Sequence, residues 1–213
     1  MKKQITTNYR ELILDSIKNI GCCNKLNVED GVPYIYTSSG LFVLPQFWGL
    51  YEEMEKPVGI ALKEGGHGVL VALKGSEEYL VLLNEYQKNV TGKSFSNDEE
   101  AKNDWNGKEN TELFVKYGSP AAKFCADYET ETVQKGNWWL PSYAEMELIC
   151  RHKDKIDACL TICGGSPLFY GWHWTSTQFE FRSAWIFIWV YGYTDSNFKG
   201  DKNWVRPVSC FPE

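Results

Sequence analysis

The chain has 213 residues, 43% of them hydrophobic and 23% charged, with a formal net charge of −6. That length can bury a sizeable core, and an acidic chain without a basic run or stripe argues against nucleic acid as a partner. No window approaches about eighteen apolar residues, which argues against membrane insertion, and no apolar stretch follows Lys2-Lys3 as a secretory signal requires. Synthesis in a cytoplasm without a signal peptide is therefore expected, with incorporation into a virus particle as another route out.

The predicted elements begin with a helix over 8–20. Asn8 and Glu11 have capping-box spacing, Leu12, Ile13, Ile17 and Ile20 make an apolar face, and Gly21 ends it. Two short strands follow near 34–37 and 41–44, split by the turn residues Ser38, Ser39 and Gly40. Segments 57–63 and 68–74 read as a hairpin around Glu64-Gly65-Gly66-His67, and their apolar residues run rather than alternate, which predicts burial on both faces. Residues 92–110 are polar and read as a surface loop. A calcium loop fails there, because placing Gly107 at the turn position puts Lys102 and Leu113 where carboxylates are needed.

Ser119 and Pro120 open the next predicted helix as N-cap and first helical residue, with Ala121, Phe124, Cys125 and Tyr128 inward. Trp138, Trp139 and Leu140 are strand-like. Pro141 breaks, Ser142 caps, and Glu145 three residues on completes a capping box for a helix to about Arg151. A second helix spans 153–163 and stops at Gly164-Gly165. The seven cysteines, Cys22, Cys23, Cys125, Cys150, Cys159, Cys163 and Cys210, are odd in number and form no C-x-x-C pair, so free, mostly buried thiols are expected. Cys159 and Cys163 lie one helical turn apart downstream of Cys150 and His152, but structural zinc brings tighter spacing. Neither a metal nor any other cofactor is expected.

Thirteen aromatic residues fall between Phe169 and Trp204, against nineteen in the rest of the chain. As a strand, 184–191 places Trp185, Phe187, Trp189 and Tyr191 on one face and Ala184, Ile186, Ile188 and Val190 on the other. Both faces are apolar. Either the strand is central and buried on both sides, or one face is an exposed patch of the kind that marks a binding site, and periodicity does not choose. The stretch that follows mixes Gly, Asp, Asn and Ser with Tyr193, Phe198 and Trp204, a composition typical of paratopes.

In order along the chain, Asn110-Thr111, Trp139-Leu140-Pro141-Ser142, Glu145, Trp174-Thr175-Ser176-Thr177, Ala184-Trp185, Gly192 and Val205-Arg206-Pro207-Val208 resemble a bacterial and phage family with a C-type-lectin fold. It lies in the branch that includes formylglycine-generating enzyme. The motifs cover roughly residues 55–211. Some members are variable proteins of diversity-generating retroelements, among them phage receptor-binding proteins similar to the major tropism determinant, in which adenine-directed mutagenesis rewrites a C-terminal segment between fixed anchors.

The resemblance implies an α+β chain of C-type-lectin fold, with short antiparallel strands and two to four helices. It implies a domain over 55–213 with a variable segment at about 176–208, onto which the helix and strands of 1–54 pack. The ligand-binding residues it implies are Phe181, Arg182, Ile186, Ile188, Tyr191, Tyr193, Asp195, Ser196, Phe198, Asp201 and Asn203. Trp185, Phe187 and Trp189 would face the core, leaving Ile186 and Ile188 outward. The expected partner is a protein or glycan, and assembly into a homo-oligomer is compatible with the sequence. Arg206 is expected to pair with a carboxylate or with carbonyls and tie down the last strand, and Pro207 to mark an edge or strand end.

Two other activities fit less well. A formylglycine-generating enzyme needs a reactive cysteine pair near the C-terminus, where Cys210 stands alone. Calcium-dependent sugar binding has only a loose echo in Asp201-Lys202-Asn203-Trp204, with Lys202 against a cation. His67, His152 and His173 are scattered, and His173, between two tryptophans, reads as a packed or rim residue. No enzymatic activity is expected; a structural phage-tail or pilus component is the remaining alternative.

Overall fold

The computed structural model describes residues 20–23, 27–85, 88–168, 171–189 and 192–212, so the helix predicted over 8–20 lies all but wholly outside the described residues. Three short strands come first, β1 (Cys22–Cys23), β2 (Tyr34–Thr37) and β3 (Phe42–Val43), followed by a 3-10 turn at Pro45–Leu50. The predicted hairpin is β4 (Pro57–Glu64) and β5 (His67–Ala72), paired from Gly59↔Ala72 to Glu64↔His67. The two-residue turn demands positive φ at both positions, and Gly65 and Gly66 supply +60° and +84° without steric cost. β12 (Val208–Cys210) and β7 (Trp138–Trp139) extend the sheet, giving the order β1-β3-β2-β4-β5-β12-β7 with every pair antiparallel.

The hairpin's apolar runs have a physical reason: it separates two cores. Ile60, Leu62, Val69 and Val71 pack with Met146, Leu148, Ile149, Ile156 and Leu160. Ala61, Leu70 and Ala72 pack on the other side with Tyr34, Phe42 and Trp138. A strand that buries both faces has no polar alternate to show.

Five α-helices are present among the described residues, more than the expected two to four: α1 (Asp98–Ala101), α2 (Gly107–Lys116), α3 (Pro120–Ala126), α4 (Tyr143–Arg151) and α5 (Lys153–Ile162). The segment 92–110 is thus not wholly a loop. Asn97 Oδ1 caps α1 by accepting from the Glu100 amide at 2.9 Å, and α2 opens at Gly107. Ser119 Oγ caps α3 at 3.0 Å from the Ala122 amide with Pro120 at the first turn, and Ser142 with Glu145 makes the capping box of α4. The chain is α+β with short antiparallel strands. Among the described residues no helix is long and apolar enough to cross a membrane.

A second sheet, order β10-β9-β8, holds the aromatic-rich segment: β8 (Trp172–Gln178), β9 (Ser183–Ile188) and β10 (Tyr193–Phe198). A two-stranded ribbon joins β6 (Leu80–Val81) to β11 (Lys202–Asn203). The central strand β9 is buried on both faces. Trp185 and Phe187 join the large core beside Tyr143, while Ala184, Ile186 and Ile188 join another with Leu82, Leu83, Phe114, Trp174 and Val205.

Candidate functional site

The described residues of the expected binding surface divide into three groups. Phe181 (52% exposed), Tyr193 (50%) and Phe198 (59%) are open to solvent, as are Arg182, Asp195 and Asp201. Ser196 is half-buried. Ile186 (0%), Ile188 (3%) and Asn203 (2%) are buried, which corrects the expectation that they face outward. The isoleucines are covered because Leu82, Leu83 and the helical residues Phe114, Ala121 and Ala122 close over that face of β9. Asn203 is drawn inside by the pairing of β11 with Leu80. Tyr191 lies outside the described residues. Trp172, which the sequence reading passed over, is also exposed.

β10 is an edge strand that carries Tyr193, Asp195 and Phe198, and Phe181, Arg182 and Asp201 lie in turns outside it. Its six residues span about 17 Å at the usual rise, and its ends meet different neighbours. At the far end Lys199 N donates to Arg182 O at 3.0 Å, bringing two turns together around a pocket of about 380 Å³ lined by Arg182, Phe198, Gly200 and Asp201. At the near end Tyr193 and Thr194 line a cleft of about 510 Å³ with Asp98, Lys102, Tyr143, Glu147 and Arg151. There Tyr143 Oη donates to Asp98 Oδ1, Thr194 Oγ1 donates to the same oxygen at 3.2 Å, and Lys102 Nζ sits 3.0 Å from Asp98 Oδ2. These contacts fasten β10 to α1 and α4.

Beneath the strand, the motif residues meet in one buried polar hub. Asp104, between α1 and α2, accepts from Thr177 Oγ1 at 2.6 Å, Asn106 Nδ2 at 2.8 Å and Asn110 Nδ2 at 3.0 Å. Thr177 Oγ1 accepts from the Tyr143 amide at 2.8 Å, and Pro141 O from the Ser176 amide at 2.8 Å. Thr111 Oγ1 donates to Gly107 O at 2.7 Å and accepts from the Leu140 amide at 2.9 Å. Glu145 accepts from the Ser142 amide at 2.7 Å and from Trp139 Nε1 at 3.0 Å. Burial pushes the Glu145 carboxyl up to about 7, its hydrogen bonds from Ser142 and Trp139 oppose that, and the charge of Asp104 adds to it. Gly107 is required here, since a Cβ would fall 2.1 Å from Glu145 Oε2.

A second buried anchor is Lys199, which the sequence reading missed although it follows Phe198. A lysine is almost never fully buried unless paired, and this one is wholly buried. Its Nζ donates to Lys88 O at 2.7 Å, to Phe181 O at 3.1 Å and to Gln178 Oε1. Burial lowers its pKa to about 8. Gln178 Nε2 reaches on to Asn89 Oδ1 and Thr91 Oγ1, both at 2.7 Å, and to Lys93 O at 3.0 Å. One ammonium and one amide thus hold the 88–93 loop and the Phe181 turn to the end of β10.

Arg206 takes the carbonyl alternative. It donates to Ala72 O at 3.1 Å and to Ser166 O and Pro167 O, both at 2.9 Å, and burial lowers its pKa to about 10. Pro207 immediately precedes β12. His173 is a packed residue: it stands 5.5 Å from the Trp189 ring and burial lowers its pKa to about 3. Cys125 and Cys159 are buried, Cys150 and Cys163 half-buried and Cys210 exposed, all five as free thiols, and Cys22 is half-buried.

What these features define is an α+β scaffold that carries an exposed, aromatic edge strand on a buried polar framework. No family model matches the chain, and no curated protein matches it. Among solved structures it is similar to a fimbrial protein from Bacteroides ovatus ATCC 8483, with a TM-score of 0.60 and 13% identity over 86% of this chain and 49% of that one. The chain spans about half the length of that fimbrial protein, and at this identity the likeness is one of fold.

Proposed function

We propose that the chain is a ligand-binding protein that displays its C-terminal segment, about 176–208, on a scaffold of the C-type-lectin type, with a protein or glycan as ligand. The observation that carries this reading is how the segment divides. The anchors Ser176, Thr177, Ala184, Trp185, Val205, Arg206, Pro207 and Val208 are buried, with Gly192 alone of the anchors exposed, and Phe181, Arg182, Tyr193, Asp195, Phe198 and Asp201 between them are exposed. Large aromatic area at low entropic cost, together with charges of both signs, is the chemistry of recognition. An enzyme of the formylglycine-generating kind would use a reactive cysteine pair. Here Cys159 and Cys163 sit on and just after α5, with burial pushing their thiols up to about 12 and about 11, away from the thiolate range.

The fold shared with half of a fimbrial chain supports a second reading, an assembly block within a fimbria. Two experiments test the first. The DNA beside the gene should hold a near-copy of codons 176–208 that differs where the copy has adenine, with the six exposed codons among those changed. In the second, those six codons are randomised in the full chain, displayed on yeast and selected against lysozyme. Binders are expected from a receptive surface on an independent framework. Loss of folded display throughout the library would sink the reading, and filaments formed by the native chain alone would favour the fimbrial one.

A further inference from the structure

β10 is the outer strand of its sheet, and such an edge is the natural place for another strand to add. The register decides which backbone groups line it. Tyr193↔Ile188 through Phe198↔Ser183 pair without a bulge. The next pair in that register has Lys199 N donating to Arg182 O at 3.0 Å, which turns the odd-numbered residues of β10 toward β9. Alternation in an antiparallel pair then turns the amides and carbonyls of Thr194, Ser196 and Phe198 outward.

Three of these six outward groups are taken. The Ser196 amide donates to Asp195 Oδ1 at 2.7 Å, and the Phe198 amide to Asn197 Oδ1 at 2.9 Å. The Phe198 carbonyl accepts from the Asp201 amide at 2.8 Å. Two of three outward donors are therefore held by the side chain of the preceding residue, and the middle one is held by an exposed carboxylate. An added strand would have to break both bonds and bring its carbonyls against the charge of Asp195. A strand that exposes Tyr193 and Phe198 is otherwise an aggregation hazard.

We propose that β10 is a closed edge, with Asp195 and Asn197 as its locks. Neither a second copy of the chain nor an extended peptide joins the sheet there, and the surface grips its partner through side chains and not by strand addition. The choice of partner rests on the binding function proposed above; the closure of the edge does not.

The test is light scattering after size exclusion on the full chain, on Asp195→Ala/Asn197→Ala, and on that pair combined with Ser196→Pro. The native chain is expected to keep the mass of one chain across the micromolar range. The double variant is expected to form a concentration-dependent species of twice that mass. Ser196→Pro, which deletes the central outward amide, is expected to restore the single mass. In the native chain, amide exchange at Ser196 and Phe198 is expected to be several-fold slower than at Thr194; this needs no variant and stands even where the double variant fails to fold. A double variant that stays single at every concentration, a native chain already paired through β10, or three amides that exchange alike would each overturn the proposal. No readout here uses a ligand, so failure leaves the binding function standing, and a failed selection on the randomised surface leaves the closed edge standing.

Discussion

Ile186→Ala separates a buried β9 from an exposed one. Ile186 is wholly buried, pairs with Trp174 on one side and Asp195 on the other, and shares a core with Leu82, Phe114 and Val205. Truncating a buried isoleucine loses its transfer free energy and leaves a cavity, about 2–5 kcal/mol together. With side chains from both β8 and the α2 helix holding the walls apart, little collapse is available, and about 3 kcal/mol is a fair central value. In a domain of this size each kcal/mol moves the melting temperature by about 2–4 °C, so the variant should melt about 6–12 °C below the native chain. Phe198→Ala is the matched control: Phe198 is 59% exposed on the edge strand, and its loss should stay within about 0.5 kcal/mol, a shift of no more than about 2 °C. Differential scanning calorimetry reads both. An Ile186→Ala chain melting within about 2 °C of native would refute the doubly buried strand and return Ile186 to the surface.

Glu145→Gln should flatten a pH dependence. The folded carboxyl sits at about 7 against the usual 4.5, so the folded state holds the proton more tightly, and stability present below pH 4.5 is lost as pH rises through 7. That span corresponds to about 3 kcal/mol; urea midpoints at either end should differ in the native chain and converge in the variant, and equal midpoints in the native chain would contradict the assignment. Arg206→Met strands the carbonyls of Ala72, Ser166 and Pro167 and should cost at least about 3 kcal/mol in a denaturant titration. Arg206→Lys should recover only part of that, because an ammonium lacks the planar fork. Lys199→Met removes the donors to Lys88 O, Phe181 O and Gln178 Oε1; hydrogen exchange should rise across 88–93 and 179–182 and remain unchanged in the β4–β5 hairpin.

Where a local signal decided the structure, the sequence was readable. The β4–β5 turn needs two residues at positive φ and has Gly65-Gly66; α3 and α4 start where Ser119-Pro120 and Ser142 with Glu145 say they should. What resisted reading was decided by contacts remote in sequence. α1 is four residues long, too short for any apolar period, and is fixed by Asn97 and by Asp98 meeting Tyr143. The sidedness of β9 depends on whether Leu82 and Phe114 cover Ile186, and an all-apolar strand cannot announce that. Lys199 looks like loop polarity until Gln178 and two carbonyls surround it. The candidate site was thus half legible: Phe181, Arg182, Tyr193, Asp195, Phe198 and Asp201 stand exposed, but Lys199 and Gln178, which hold the Phe181 turn, carry no local mark.

The framework under the exposed strand is polar where an apolar core would be cheaper to build. Asp104, Glu145, Lys199 and Arg206 are all buried and held by directional bonds, Asp104 from the Thr177 hydroxyl, Lys199 and Arg206 to carbonyls remote in the chain, and Glu145 from the nearby Ser142 amide and Trp139 indole. Burying such groups gives little net stability, because desolvation offsets most of the gain. What directional bonds do supply is a single arrangement: Thr177 can bridge Asp104 and the Tyr143 amide in one register of β8 only, since a slip by one residue would turn its hydroxyl to the other face. None of these bonds involves the side chain of Phe181, Arg182, Tyr193, Phe198 or Asp201. Substitution at those five positions therefore leaves the hub's partners in place. Substitution at Asp195 differs, because its carboxylate also caps the Ser196 amide, and among the exposed residues it is the one whose replacement should alter how the strand edge behaves as well as what the surface binds.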